Sequence, residues 1–246
     1  MTTSAPRLSA IVLAAGKGTR MKSQLPKVLH PLCGRPLVDY PVQAAFEAGA
    51  DQVVVVTSGQ PELTAALEAR YGKERISIAV QDPPRGTGDA VRAGLSAVKH
   101  PRTLILYGDT PLLRAQDLTG LIQALDVAGQ ELSILTALLD VPFGYGRVLR
   151  DAAGNVQEVR EQRDLQSDAE RAIREVNAGM YAANTEKLRA AVAELQPNNA
   201  QGEYYLTDVV ASLAKISRVA AVQGEAEALL GVNDRADLGR AEELLR

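Results

Sequence analysis

Short apolar runs recur along the first half of the chain, at residues 10–13, 52–56, 76–80 and 103–107. Each has the length of a strand buried on both faces. Between them the apolar positions follow a helical period. "PLVDYPVQAAFEAG" ends on Gly49, "PELTAALEARYG" opens on Pro61 and ends on Gly72, and "GDAVRAGLSAV" carries Asp89 near its start. Proline early and glycine late are the expected marks of helix ends. This alternation predicts βαβ units: an α/β, Rossmann-like fold with a mostly parallel central sheet and helices on both faces.

Beyond Asp109 the pattern changes. "DLTGLIQALDVAG" has a helical period and "ELSILTALL" reads as a strand, whereas "GYGRVLRD", "GNVQEVRE" and "REVNAGMYAAN" are short strand candidates separated by turn signals such as 151–155. Helices are expected near 186–195 and 208–216, with "SRVAAVQ" a late strand. These elements predict a mixed β lobe added to the same sheet. No internal repeat, low-complexity tract or Gly/Ser/Pro-rich linker interrupts the chain. The last segment, "RADLGRAEELLR", stays helical in period to Arg246 without a stop signal, as a chain cut within a helix would.

A length of 246 residues with 46% hydrophobic side chains suffices for one large α/β domain or two small ones. No run of eighteen apolar residues occurs and the first apolar run is too short for a signal sequence, so a cytoplasmic, non-membrane protein is expected. Cys33 is the single cysteine, and with only His30 and His100 beside it a zinc site lacks ligands. A net charge of −3 gives no global footprint for nucleic acid. Yet the chain up to Val38 holds Arg7, Lys17, Arg20, Lys22, Lys27 and Arg35 and no acid.

Most of that charge lies in "LAAGKGTRMKSQLPK", directly after the first predicted strand. Ligands of open α/β sheets bind beyond the carboxyl ends of the strands, where glycines let backbone N–H groups approach phosphate. The loop fits neither standard nucleotide fingerprint. Met21 stands where the Rossmann pattern needs its third glycine, and Gly16-Lys17-Gly18-Thr19 breaks the P-loop order.

What matches is G-x-G-T-R-M followed by Pro26-Lys27. With it the sequence resembles the sugar-nucleotidyltransferase family, and within it the branch of bacterial N-acetylglucosamine-1-phosphate uridyltransferases. "QDPPRGTGDA", "LYGDTPLL", "GYGR", "EVNAGMY", "NNAQGEYYLTD" and "GVNDR" follow in order, so the resemblance spans nearly the whole chain. It implies Mg²⁺-dependent synthesis of UDP-N-acetylglucosamine and pyrophosphate from UTP and N-acetylglucosamine 1-phosphate, in cell-envelope precursor synthesis. Arg20 and Lys27 would be the catalytic cations; Lys17 and Lys22 either add to their field or are only solvated helpers. Leu13, Ala14, Ala15, Gly16, Gln81, Gly86 and Thr87 would hold the nucleotide. Tyr107, Gly108, Gly146, Glu161 and Asn177 would hold the sugar, and Asp109 and Asn233 the metal. Ala178 stands where the family commonly has Thr or Ser. Glu203 and Asp208 are expected only to support the sugar lobe.

The implied division is a pyrophosphorylase domain over 1–231, with a nucleotide half to about 115 and a sugar lobe from 116, and a linker helix over 232–246. The resembled enzymes carry in addition a β-helix acetyltransferase domain that builds a trimer; its hexapeptide repeats do not occur in these residues, which implies uridyl transfer alone and a monomer. Two other readings stay open: a related enzyme using another sugar phosphate or nucleotide, and a catalytically silent nucleotide-sugar binding module.

Overall fold

The computed structural model describes residues 7–16 and 18–246; Lys17 lies outside the described residues. The first strand, β1 (Leu8–Leu13), is buried at every position. A two-residue hairpin follows, β2 (Pro31–Leu32) and β3 (Arg35–Pro36), then α1 (Asp39–Glu47), β4 (Gln52–Thr57), α2 (Pro61–Tyr71), β5 (Ile76–Val80), α3 (Thr87–Leu95) and β6 (Arg102–Tyr107). The second half contributes α4 (Ala115–Leu125), β7 (Gln130–Leu138), β8 (Arg147–Arg150), β9 (Val156–Arg160), α5 (Asp168–Arg171), β10 (Glu175–Asn184), α6 (Thr185–Ala193), α7 (Asp208–Ala214), β11 (Arg218–Gln223) and α8 (Arg235–Leu245).

One nine-stranded sheet runs in the order β11-β7-β10-β6-β1-β4-β5, with the β8–β9 pair attached to β10. Strands β5, β4, β1 and β6 are parallel, β10 is antiparallel to both β6 and β7, and β11 is parallel to β7. The central sheet is therefore mostly parallel, with β10 reversed where the second half joins the first and β9 reversed in the attached pair.

Period-two alternation divides the central strands between two cores. Ile11, Val54 and Val56 face Val91, Leu95, Leu188 and Val209 on α3, α6 and α7. Ala10, Val12, Val53 and Val55 face Val42, Leu63 and Leu118 on α1, α2 and α4. The runs at 10–13, 52–56 and 103–107 became central strands because both faces are covered, whereas 76–80 is the edge strand β5, partly buried and with Val80 exposed. Among the described residues no helix is long and apolar enough to cross a membrane.

The main departures from the sequence reading lie at element ends. The helix expected from residue 36 begins at Asp39, because residues 31–36 form the β2–β3 hairpin around Cys33 and Gly34, both at positive φ (47° and 80°). Such a turn suits a two-residue hairpin, but a cysteine at its first position gives no sequence signal. The helices expected to reach 195 and 216 stop at Ala193 and Ala214.

Asp39 was not visible as a structural residue. Its side chain is buried, accepts from Arg35 Nε at 2.8 Å and from the Tyr71 hydroxyl at 2.5 Å, and is ion-paired with Arg70 Nε at 2.9 Å, tying the hairpin, α1 and α2 together. Burial and this carboxylate push the Tyr71 phenol up to about 12. Asp39→Ala leaves these donors without their shared acceptor, and a loss of about 2–4 kcal/mol is expected in urea unfolding; a loss below about 0.5 kcal/mol would show that the network contributes little.

Candidate functional site

The basic loop is fixed where it leaves the sheet. Ala14 N donates to Val56 O and Gly108 N donates to Leu13 O, each at 2.8 Å, so the loop starts between β4 and the turn after β6. Residues Thr19–Met21 form a single 3₁₀ turn anchored by buried Met21, which leaves Arg20 and Lys22 exposed. A second turn, Lys27–Leu29, is anchored by buried Val28. Gly18, at φ 58°, lies so close beneath Lys27 that an added Cβ would stand 2.4 Å from the lysine Cβ. A side chain there would push Lys27 away.

Lys27 Nζ reaches Asp109 Oδ2 at 2.5 Å, and both side chains are largely buried. Asp109 projects from the carboxyl edge of β6, and its carbonyl accepts from Val232 N at 2.8 Å. That bond brings in the segment before α8, whose Val232 is buried with Leu32, Leu37 and Ala241. Asn233 Oδ1 accepts from Arg20 Nη2 at 3.0 Å, and Asn233 N donates to Asp237 Oδ2 at 2.9 Å. A Cβ built on Gly231 would lie 3.8 Å from Asp109 Oδ1 and 3.9 Å from Asn233 Nδ2. Arg20, Lys27, Asp109 and Asn233, scattered in sequence, thus form one cluster.

Beside it lies a cavity of about 400 Å³. Leu13, Ala14, Ala15, Gly16, Gln81, Gly86 and Thr87 all line it, as do Lys27, Tyr107 and Asp109. Gln81 is buried, and its amide donates to Gly86 O at 2.9 Å and to Asp89 Oδ2 at 3.1 Å. Both partners accept only, so the orientation of the amide is set and its carbonyl oxygen is the atom left for a ligand. Asp89 is held in turn by Arg85 Nη2 at 2.9 Å.

A second cavity of about 570 Å³ shares Thr87, Tyr107 and Glu203 with the first and adds Phe143, Glu161 and Gln162. The two spaces meet at one wall. Thr207 Oγ1 donates to Glu161 Oε1 at 3.1 Å. Gly108, Gly146 and Asn177 are buried. Asn177 Nδ2 donates to the Tyr181 hydroxyl at 2.7 Å, and its Oδ1 accepts from Gly179 N at 3.2 Å, across the bulge where β10 loses register with β7. Gly179, at φ 82°, supports the Tyr107 ring, because a Cβ there would stand 2.4 Å from Tyr107 Cε2. Gly146 backs onto Glu161, both of whose carboxylate oxygens lie 3.4 Å from where its Cβ would be.

Three participants escaped the sequence reading. Glu203 lines both cavities, although it was expected only to support the lobe. Asp89 and Asp237 position Gln81 and Asn233. The Asp234-x-x-Asp237 spacing carries a helix-capping signal that marks Asp237, and Asp234 does cap α8.

A family model, the MobA-like NTP transferase domain, matches residues 10–178. The chain belongs to this family. As a MobA-like NTP transferase domain it is 51% identical, over 100% of its length, to the bifunctional protein GlmU of Sorangium cellulosum (strain So ce56). It is 48% identical over 97% to GlmU of Anaeromyxobacter dehalogenans (strain 2CP-1 / ATCC BAA-258) and 42% identical over 97% to that of Caldanaerobacter subterraneus subsp. tengcongensis. It spans about half the length of these relatives: 53%, 49% and 52%. The fold is shared with a solved structure from Bacillus anthracis, a putative glucose-1-phosphate thymidylyltransferase in complex with sucrose. The TM-score is 0.79 at 18% identity, covering 97% of this chain and 95% of that one.

Burial, reinforced by Asp164 and Asp208 and opposed by the Thr207 hydrogen bond, raises the Glu161 carboxyl above its ordinary value of 4.5. The folded protein therefore holds this proton more tightly than the unfolded chain does. Ionised Glu161 costs stability above its folded pKa, and the cost vanishes as pH falls below 4.5. Glu161→Gln is thus expected to raise the thermal unfolding midpoint at pH 8, with the gain gone by about pH 4. A gain of equal size at both pH values would assign it to packing instead.

Proposed function

We propose that this NTP transferase domain joins UTP to N-acetylglucosamine 1-phosphate, giving UDP-N-acetylglucosamine and pyrophosphate, in the cytoplasm and in the service of cell-envelope synthesis. The observation that carries the reading is the meeting of two cavities beside the Arg20, Lys27, Asp109 and Asn233 cluster. One space suits a nucleotide and the other a polyhydroxylated group, with cations where their phosphates would meet. The names of the GlmU relatives add support for this branch of the family. On this reading the nucleotide half extends to about residue 115 and the sugar lobe from 116 to 231, with the linker helix after it.

A phosphate oxygen of the sugar phosphate attacks the α-phosphorus of UTP, forming a new P–O bond. The bond from the α-phosphorus to the oxygen bridging to the β-phosphorus breaks, and pyrophosphate departs with that electron pair. A phosphate monoester is largely dianionic at pH 7, so no protein base has to remove a proton. The chain's task is positioning and charge. Lys27 bears on the phosphates from within the cluster, while Arg20 exchanges its hydrogen bond to Asn233 for phosphate oxygens. The Gln81 carbonyl oxygen offers an acceptor to the N3–H of uracil, a donor that cytosine lacks.

The donor set fits Mg²⁺. Asp109 supplies a hard carboxylate oxygen beside Gly231, while Asn233 presents its amide nitrogen to that side, donating to Gly231 O at 3.1 Å, and would offer its Oδ1 once Arg20 releases it; among the described residues no three His, Cys, Asp or Glu side chains gather into a fuller cage. A site with few protein ligands suits an ion completed by phosphate oxygens and water. When bound there, Mg²⁺ supplies electrostatic stabilisation to the phosphates.

Pyrophosphate release with Mg²⁺ tests the reading directly, comparing UTP with CTP and N-acetylglucosamine 1-phosphate with glucose 1-phosphate. Selective turnover of UTP with the N-acetylated sugar is expected; preference for another pair would keep the chemistry and overturn the specificity. Absence of turnover with every pair would favour a binding module. Asp109→Ala is expected to lower kcat by at least about 10²-fold, and full activity at saturating Mg²⁺ would remove Asp109 from the metal site.

A further inference from the structure

Phe143 is one of only two phenylalanines in the chain, and 76% of it is exposed. The other, Phe46, packs against Tyr71 with ring centroids 5.3 Å apart and lies beneath the Arg75 guanidinium. Leaving an aromatic ring in water forfeits the free energy of burying it, and a turn is ordinarily served by a polar residue. Phe143 nevertheless lines the second cavity, whose other walls include Glu161, Gln162 and Arg163.

The turn that carries the ring is held from inside the protein. Tyr145 N donates to Pro142 O at 3.3 Å, closing the turn. Gly144 N donates to Gln162 Oε1 at 3.1 Å. Buried Arg147 donates to that same oxygen at 2.9 Å and also to the Tyr145 carbonyl. Gln162 directly follows Glu161. The ring and the Glu161 carboxylate are therefore tied to one hydrogen-bonded frame and face one space.

We propose that Phe143 is the platform on which the sugar ring rests, and hence a further binding residue for the sugar phosphate, whichever hexose it carries. This builds on the reading of the site given under Proposed function. An equatorially substituted pyranose has hydroxyls around its rim and C–H bonds across its faces, and a C–H face complements the electron-rich face of an aromatic ring. Binding pockets commonly combine such an apolar surface with a few polar groups that fix orientation. Phe143 supplies the surface, and Glu161 accepts from the hydroxyls.

The chain contains no tryptophan, so Phe143→Trp places a single indole at the cavity. Its fluorescence is expected to change on adding UDP-N-acetylglucosamine and to stay constant with UDP alone, which occupies only the nucleotide cavity. Phe143→Ala is expected to raise KM for the sugar phosphate roughly five- to tenfold while kcat and KM for UTP stay within about twofold, and Phe143→Trp to keep KM near wild type. An unchanged sugar-phosphate KM in Phe143→Ala, or an indole that responds alike to UDP and the nucleotide sugar, would overturn the platform. So would a KM effect confined to the N-acetylated sugar and absent with glucose 1-phosphate, which would assign the contact to the acetamido group. Wild type is measured in the same series: failure to turn over any sugar phosphate would overturn the functional reading itself, and the platform with it.

Discussion

Like charge is the constraint around which this molecule is organised. In the proposed reaction two phosphate groups must approach one another and repel strongly wherever water is scarce, and fixed cations have to be in place before they meet. The Lys27–Asp109 pair answers that need. Asp109 holds the lysine ammonium at the edge of the first cavity, and the lysine keeps one oxygen of the carboxylate neutralised while the other lies toward Gly231. Because both side chains are largely shielded from solvent, their fields act on a neighbouring ligand with little screening.

The rest of the fold supports that contact from three directions. The parallel strands β1 and β6 deliver the basic loop and Asp109 to the same sheet edge, side by side. The segment before α8 is clamped by Val232 in its own small apolar cluster, and so brings Asn233 to Asp109 and Arg20. The antiparallel strand β10 extends the sheet sideways, and its bulge supports Tyr107, the side chain that stands between the two cavities. A purely parallel sheet would have given the nucleotide space without the second cavity beside it.

Chemical roles in the second cavity differ from those in the first. In the first cavity the backbone and Gln81 offer narrowly directed hydrogen-bonding groups. In the larger space Glu161 is raised in pKa by burial, Asn177 has its amide engaged by Tyr181 and Gly179, and Phe143 supplies an apolar face. Of the residues expected to hold a sugar, Glu161 and Tyr107 reach the cavity, whereas Gly108, Gly146 and Asn177 are buried and shape its walls.

By itself the sequence determined whatever depends on local pattern. The buried strands, the helices between them and the cationic glycine loop were legible because periodicity, punctuation by Gly and Pro, and uneven charge are properties of neighbouring residues. The motifs also named Asp109 and Asn233, yet in isolation each reads as a turn residue. Only the tertiary structure decided that the two share a space with Arg20 and Lys27, that Asp39 ties together a hairpin and two helices, and that Asp89, Asp237 and Glu203 belong to the site. Apart from the local Arg35–Asp39, Gln81–Asp89 and Asn233–Asp237 bonds, these are contacts between segments distant along the chain, and they are fixed by strand order and by the packing of side chains against the sheet. No local pattern encodes them, because each becomes favourable only after the sheet has formed.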